Sequence, residues 1–236
     1  MHKAILFDLD DTLVYFDEYW EDSVREALRL HPLTREFDMR ELYEAYREKD
    51  LAYEQLYLRR EITLDQFRHR RLIDVLGERG RRIGTEEAED FERLYKRISK
   101  TKINPSEEVT RLIERLGRSY TLAIMTNGEE DWQKDKLEAV GLLDVFADEL
   151  LFISERIGYE KPDPAIYRHA IGVLGLRPQD ILFVGDSWNN DVAGPIRAGM
   201  DAVWLNRKGL PVPEGEVRPL AVIRRLTELE RVLPVL

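Results

Sequence analysis

The chain has 236 residues, a formal net charge of −10 at pH 7 and no cysteine. Hydrophobic residues make up 43% of it and charged residues 35%, a balance typical of a soluble globular protein and too apolar for a disordered one. Without cysteine it can form no disulfide, thiolate metal site or cysteine nucleophile. The excess negative charge disfavours nucleic acid and anionic membranes as partners, because binding there depends on lysine and arginine.

The sequence contains no apolar run long enough to cross a bilayer. Aspartates follow the first apolar run, Ala4–Phe7, far too early for a secretory signal. The absence of cysteine also fits a reducing compartment, so we expect a cytoplasmic protein. If the substrate is an anion, a local cation must overcome the repulsion of the whole chain, and a metal ion is the obvious candidate.

Five short apolar runs bounded by turn residues predict strands that are buried on both faces. They are Ala4–Phe7, Leu122–Met125, Leu150–Ile153, Ile181–Val184 and Ala202–Leu205. Helical patterns lie between the later runs, at Trp132–Val140, Ala165–Leu174 and Asp191–Ala198. This alternation predicts an α/β fold with a doubly wound parallel sheet.

Residues 16–100 interrupt the alternation with charged, amphipathic segments. Their helical patterns cover Glu18–Leu30, Met39–Arg60, Leu64–Leu76 and Thr85–Ser99. We therefore expect a helical cap domain, residues 16–100, inserted into a Rossmann-like catalytic core of residues 1–15 and 101–236. The insertion follows the first strand directly, which suggests a cap over the sheet edge where open α/β sheets bind ligands. Its tyrosines could line a pocket, but their helical spacing favours the packed face of a bundle: Tyr43, Tyr46, Tyr53 and Tyr57.

Acidic side chains follow two of the predicted strands. Asp8 and Asp10 come directly after the first strand and point to the same side of the chain. Asp186 and Asp191 lie in the segment GDSWNND, which follows the strand at Ile181–Val184. A solvated turn and a helix cap are the ordinary alternatives for these two segments. Together, however, carboxylates from two strand ends at one sheet edge form the oxygen-rich site that Mg²⁺ prefers.

Two further positions fit phosphate chemistry. Thr126-Asn127-Gly128 follows the strand Leu122–Met125 and offers a hydroxyl and backbone N–H groups of the kind that hold phosphate oxygens. Lys161 precedes a proline-rich turn that would hold its backbone rigidly. A simple turn and a lone surface lysine are the alternatives, and they would be favoured if the acidic segments were absent.

In order and spacing these four segments resemble the motifs of the haloacid dehalogenase superfamily of phosphatases. The match consists of an apolar strand with DLDDTL, a strand with TN, a lysine before proline, and GDSWNND, and it spans residues 4–191. The resemblance implies a subfamily I phosphatase with a helical type-one cap. It further implies a Mg²⁺-dependent hydrolase that acts on a small phosphomonoester through an aspartyl-phosphate.

The resemblance also assigns roles to single residues. Asp8 would be the nucleophile and a metal ligand, and Asp10 the general acid and base, with its backbone carbonyl on the metal. Asp186 would be the third protein ligand. Thr126 and the Asn127 backbone would hold the phosphoryl group. Lys161 would neutralise charge between Asp8 and phosphate, while Asp191 and Thr12 would support the site, Asp191 either through a metal-bound water or by orienting Lys161.

Other functions remain open at this point. Within the family, a dehalogenase needs neither the metal nor a second acid, so the presence of Asp10 and Asp186 favours phosphate transfer. A phosphomutase is possible if the cap excludes water. A non-catalytic phosphoacceptor domain shares strand-end aspartates, Mg²⁺, a threonine and a lysine, but is about half this length. The substrate stays open between a nucleoside monophosphate, a sugar phosphate and a phosphoglycolate-like compound, and the oligomeric state cannot be read from the sequence.

Overall fold

Six parallel strands form one sheet in a computed structural model of the protein, which describes residues 1–233. The strands are β1 (Ala4–Phe7), β2 (Thr121–Thr126), β3 (Leu151–Ile153), β4 (Ile181–Gly185), β5 (Asp201–Leu205) and β6 (Ala221–Ile223). Their order across the sheet is β3-β2-β1-β4-β5-β6. The predicted α/β class with a doubly wound parallel sheet is confirmed. The sixth strand, β6, lies in the tail 221–233, where the sequence indicates a short strand or loop followed by an amphipathic helix.

The central strands are apolar because helices cover both faces of the sheet. Every residue of β1 and of β4 is buried, and a core formed by Leu6, Met125, Phe183 and Trp204 continues across neighbouring strands. The helices of this part of the chain are α5 (Glu107–Leu116), α6 (Glu130–Ala139), α7 (Ser154–Ile157), α8 (Pro164–Leu174), α9 (Gly194–Arg197) and α10 (Leu229–Val232).

The segment after β4 differs from its prediction. We expected a helix over Asp191–Ala198, but the chain forms a π-helical turn at Trp188–Ala193 and only then the short α9. The N–H of Gly194 bonds to the carbonyl of Asn189, five residues earlier. Pro195 follows and has no N–H with which to continue a regular ladder, so the wide turn is accommodated at this point.

The contacts within the chain divide it into two compact units, the sheet-containing unit of residues 1–16 and 103–233 and a second unit, Asp17–Lys102. It contains four helices: α1 (Trp20–Leu30), α2 (Met39–Leu58), α3 (Leu64–Gly77) and α4 (Thr85–Lys102). Tyr43 and Tyr46 of α2 are buried, as their spacing predicts, and Tyr57 stacks on Phe67 of α3. The role of this unit as a substrate-selecting cap stays a prediction. No helix in residues 1–233 is both long and apolar enough to span a bilayer.

A buried ion-pair network joins three helices of the second unit. The guanidinium of Arg71 in α3 contacts carboxylates of Asp50 in α2 and, at 2.7 Å, Glu92 in α4. The side chains of all three residues are at most 13% exposed. Burial by itself would lower the pKa of Arg71, but the charges of Glu92 and Asp50 raise it above its ordinary value, so the guanidinium stays charged. Arg71 is therefore the shared partner on which two buried carboxylates depend.

We expect Arg71→Met to lower the free energy of unfolding by about 3–5 kcal/mol, because it leaves two buried carboxylates without their cation. Thermal and urea unfolding would measure the loss. Arg93→Met is a matched control, since Arg93 also contacts two carboxylates but its side chain is 58% exposed. The control should change stability by no more than about 0.5 kcal/mol. Equal effects of the two substitutions would contradict the proposed difference.

Candidate active site

The carboxyl ends of three adjacent strands meet at one edge of the sheet. The register places Phe7 of β1 opposite Ile124 of β2 and Val184 of β4. Asp8, the next residue, therefore lies level with the carboxyl end of β4. Its N–H donates to the Val184 carbonyl at 2.9 Å. Thr126, the last residue of β2, lies at the same edge. The segments that the sequence analysis selected are thus brought together by strand pairing.

A buried lysine lies at the centre of this edge. The Lys161 ammonium contacts Asp8 Oδ1 at 2.6 Å and Asp191 Oδ1 at 2.7 Å. All three side chains are almost completely buried. Burial by itself would lower the pKa of Lys161, but the charges of Asp191 and Asp8 raise it above its ordinary value. The lysine is therefore a permanent cation beside the predicted nucleophile.

The backbone of Lys161 is fixed by a side chain of the β2 edge. Asn127 accepts from the Lys161 N–H through Oδ1 at 2.8 Å and donates through Nδ2 to the Lys161 carbonyl at 2.9 Å. This reciprocal pair ties the loop before α8 to the end of β2. Asn127 was expected to act through its backbone only. Its amide side chain has this further structural task, which no sequence signal indicated.

Three carboxylates gather beside Lys161. Asp8, Asp186 and Asp191 each offer an oxygen, and these oxygens lie within 4.8 Å of one another. Burial raises the pKa of Asp8 to about 7 against the opposing charge of Lys161. Burial, together with the charges of Asp191 and Asp8, raises the pKa of Asp186 to about 8. Packing like charges this closely is unfavourable without a further cation.

The members of this acidic cluster differ in their partners. Asp191 uses Oδ1 for Lys161 and Oδ2 for the N–H of Ser187, so both of its oxygens are bound. In residues 1–233, by contrast, no hydrogen-bond donor contacts the Asp186 carboxylate, and Asp8 Oδ2 accepts only a long 3.2 Å bond from Thr12. Oxygen donors of this kind suit a hard divalent cation, so Asp8 and Asp186 fit a metal site and Asp191 fits the orienting role.

Asp10 is held by a residue that the sequence analysis did not assign to the site. The Lys136 ammonium of α6 lies 2.6 Å from each carboxylate oxygen of Asp10. The Asp10 side chain is therefore outside the acidic cluster, and a contact of its backbone carbonyl with a metal stays a prediction. Gln133, one helical turn earlier, accepts from the Thr126 hydroxyl at 3.3 Å and donates to the Asn127 carbonyl at 3.2 Å.

The family of this chain is shown by its similarity to known proteins. The sequence model of the haloacid dehalogenase-like hydrolase family matches residues 2–199. The chain belongs to this family. The glyceraldehyde 3-phosphate phosphatase of Methanopyrus kandleri is 31% identical to it over 214 residues, which cover 88% of this chain and 85% of the relative. The phosphoserine phosphatase of Thermus thermophilus is 40% identical over 108 residues, which cover 46% of this chain and 42% of the relative.

The solved structures agree with this assignment. The crystal structure of YfnB from Bacillus subtilis, a protein described as a HAD-hydrolase and bound to magnesium, is similar with a TM-score of 0.81. The two sequences are 26% identical, and the match covers 99% of both chains. With its family established and phosphatases among its relatives, the protein is an enzyme, a phosphatase of the haloacid dehalogenase superfamily.

A glycine permits the close approach of Asp191 in this phosphatase. A Cβ atom built on Gly185, at the end of β4, would lie 2.5 Å from the carboxyl carbon of Asp191. Any larger residue would therefore push Asp191 away from Lys161. The neighbouring Trp188 packs edge-on against Trp204 with ring centroids 4.9 Å apart, which fits a packing role for this aromatic residue.

We expect Gly185→Ala to destabilise the protein by about 1–3 kcal/mol, because the added methyl group overlaps the Asp191 carboxylate. Thermal unfolding would measure the change. The control is Gly172→Ala in α8, where no atom lies within 4 Å of the new methyl group. It should stabilise by about 0.4–1 kcal/mol, because alanine favours the helix. A Gly185→Ala protein as stable as the parent would contradict the geometry at Asp191.

Proposed function

We propose that this phosphatase hydrolyses a small phosphomonoester in two steps, with Asp8 as the nucleophile. The observation that carries the proposal is the contact of Asp8 with the buried Lys161 ammonium, next to carboxylates that fit a divalent cation. A carboxylate and a phosphate repel each other, and the uncatalysed reaction is among the slowest known. A fixed lysine cation beside the nucleophile offsets part of this repulsion.

We also propose Mg²⁺ as the cofactor, held by Asp8, Asp186 and the backbone carbonyl of Asp10. The bound ion would supply positive charge to the phosphate oxygens and to the acidic cluster. Three features support this choice: the oxygen-only donor set, the absence of a donor to Asp186 within residues 1–233, and the magnesium bound to the similar structure of YfnB.

The residues of the chain divide the chemistry between them. An Asp8 oxygen forms a bond to phosphorus as the bond from phosphorus to the ester oxygen breaks, and that oxygen takes a proton from Asp10. Asp10, now ionised, takes a proton from a water molecule whose oxygen attacks phosphorus. This second step releases inorganic phosphate and restores Asp8. Thr126 and the Asn127 backbone hold the phosphoryl group, and Lys161 balances its charge, while Asp191 and Thr12 keep Lys161 and Asp8 in place.

The substrate class that fits best is a small phosphorylated metabolite with a terminal phosphomonoester. Both relatives compared above carry names of this kind, glyceraldehyde 3-phosphate and phosphoserine phosphatase. A phosphate-release screen over sugar phosphates, nucleoside monophosphates, phosphoserine and phosphoglycolate would identify the preferred class. A dehalogenase is disfavoured because it has no use for the proton carried by Asp10, and release of halide from a haloacid would be the result in its favour.

We expect Asp8→Asn to lower kcat for p-nitrophenyl phosphate with Mg²⁺ by roughly 10³-fold or more, because the amide is a far weaker nucleophile. Asp10→Asn should slow the second step for p-nitrophenyl phosphate, and both steps for an alkyl phosphate, whose leaving group needs a proton. Asp201→Asn is the control, since Asp201 is exposed and is the first residue of β5, so it lies at the amino ends of the parallel strands, opposite the proposed site. Unchanged turnover in Asp8→Asn would overturn the assignment of the nucleophile. A parent protein that becomes stably phosphorylated without releasing phosphate would instead be a phosphoacceptor.

We expect Mg²⁺ to raise the melting temperature more at about pH 8 than at about pH 5.5. The pKa of Asp8 is raised to about 7 and that of Asp186 to about 8, so the folded ion-free protein binds more protons than the unfolded chain. It therefore loses stability as the pH rises from about 4 to about 8. An ion bound by ionised carboxylates removes this loss. At a concentration near 100 times Kd the gain is about 2.7 kcal/mol, or several degrees.

Asp186→Asn tests whether repulsion among the crowded carboxylates causes the pH-dependent response to Mg²⁺. The substitution removes one of the crowded charges, so the ion-free variant should melt higher than the ion-free parent at pH 8. It should also lose the response to Mg²⁺. Sodium chloride at matched ionic strength controls for general screening. A Mg²⁺ response that is independent of pH and survives Asp186→Asn would contradict the proposed metal site.

A further inference from the structure

We propose that Lys136 is a positioning residue, which holds the Asp10 carboxylate in the orientation needed for proton transfer to the leaving group. The inference rests on the proposed function and extends it to a residue outside the four sequence motifs. Its basis is the contact geometry: the Lys136 ammonium lies 2.6 Å from both oxygens of Asp10. The two residues are 126 positions apart, so the contact is produced by the fold.

The Lys136 side chain is unusual for a lysine on a helix. It is only 3% exposed, whereas the Asp10 side chain that it contacts is 36% exposed. Burying an ammonium is unfavourable unless ionic or hydrogen-bonding partners compensate it. The Asp10 carboxylate is such a partner. The indole ring of Trp132, with its centroid 5.4 Å from Nζ, forms part of the surrounding wall. The Lys136 ammonium is therefore held beside Asp10 and is not exposed to solvent.

The face of α6 that carries Lys136 also carries Gln133, because residues three apart lie on the same side of a helix. Gln133 contacts the Thr126 hydroxyl and the Asn127 carbonyl, both of which belong to the proposed phosphoryl site. A single helix face thus connects the proton-transfer residue with the phosphate-holding residues. It fixes the distance between them.

The bidentate contact suggests how the positioning works. The Asp10 side chain, in the turn after β1, can rotate about two bonds, so without a partner it would adopt several orientations. A salt bridge through both oxygens is the resting arrangement of the ionised group. When Asp10 carries a proton, one oxygen can stay on the ammonium while the other presents the proton to the ester oxygen. Lys136 acts on the reaction through Asp10 and does not touch the phosphoryl group.

Leaving groups of different basicity distinguish this role. An alkoxide needs a proton as it departs, whereas p-nitrophenolate leaves without one. Lys136→Met should therefore lower kcat/KM for an alkyl phosphate such as glycerol phosphate roughly 10- to 100-fold. It should lower kcat/KM for p-nitrophenyl phosphate less than about 3-fold. Lys136→Arg, which keeps a cation at this position, should restore much of the loss.

A double-mutant cycle separates positioning from direct phosphate binding. If Lys136 acts through Asp10, adding Lys136→Met to Asp10→Asn should cause no further loss of kcat/KM with the alkyl phosphate. If Lys136 instead binds the phosphoryl group, Lys136→Met should lower kcat/KM equally for both substrates and raise KM. The losses caused by Lys136→Met and by Asp10→Asn should then multiply in the double variant. That second pattern would overturn the proposal.

Lys134→Met is the matched control. Lys134 lies on the same helix and makes 2.9 Å ion pairs, but its side chain is 30% exposed and its partners are Glu130 and Asp148 rather than Asp10. Lys134→Met should leave kcat/KM unchanged for both substrates.

Lys136→Gln keeps a hydrogen-bond donor at the buried position. It replaces Lys136→Met in the cycle if circular dichroism shows that Lys136→Met is unfolded. Full turnover in Asp8→Asn would defeat the proposed function itself. A uniform effect of Lys136→Met beside an inactive Asp8→Asn would defeat only the positioning role.

Discussion

The buried ammonium of Lys161 between Asp8 and Asp191 is the interaction on which the arrangement of this sheet edge depends. It connects the ends of β1 and β4 to the loop before α8, and Asn127 then fixes that loop to the end of β2. A buried lysine with no carboxylate, or two buried carboxylates with no lysine, would be strongly destabilising. Each part of the edge therefore requires the others.

Much of the fold could be predicted because its signals are local. Near-continuous apolar runs identify strands that are buried on both faces, and the order of strands and helices restricts the sheet to a parallel one. The carboxyl ends of such strands share an edge, so the proximity of Asp8, Thr126 and Asp186 could be predicted from the sequence. Helix α5 was not among the predicted elements, although the apolar spacing of Val109, Leu112, Ile113 and Leu116 indicates it.

The remaining features depend on contacts between distant residues. Lys136 and Gln133 lie on an ordinary charged helix, and nothing in their neighbours shows which face meets Asp10. The two hydrogen bonds between Asn127 and Lys161 require a loop geometry that the sequence does not express. The segment after β4 is helical, as its pattern indicates, but it begins as a π-helical turn, and no local sequence signal shows that change of hydrogen-bond register.

The division of the chain into two compact units has a consequence for how such an enzyme can diversify. All the residues proposed for the reaction lie in residues 1–16 and 103–233, and the four-helix unit has its own core and its own ion-pair network. Sequence drift within Asp17–Lys102 therefore leaves the atoms that break the phosphate ester unaltered. Under the predicted role of this unit as a substrate-selecting cap, new metabolite preferences arise there while the inherited chemistry of the sheet-containing unit is conserved.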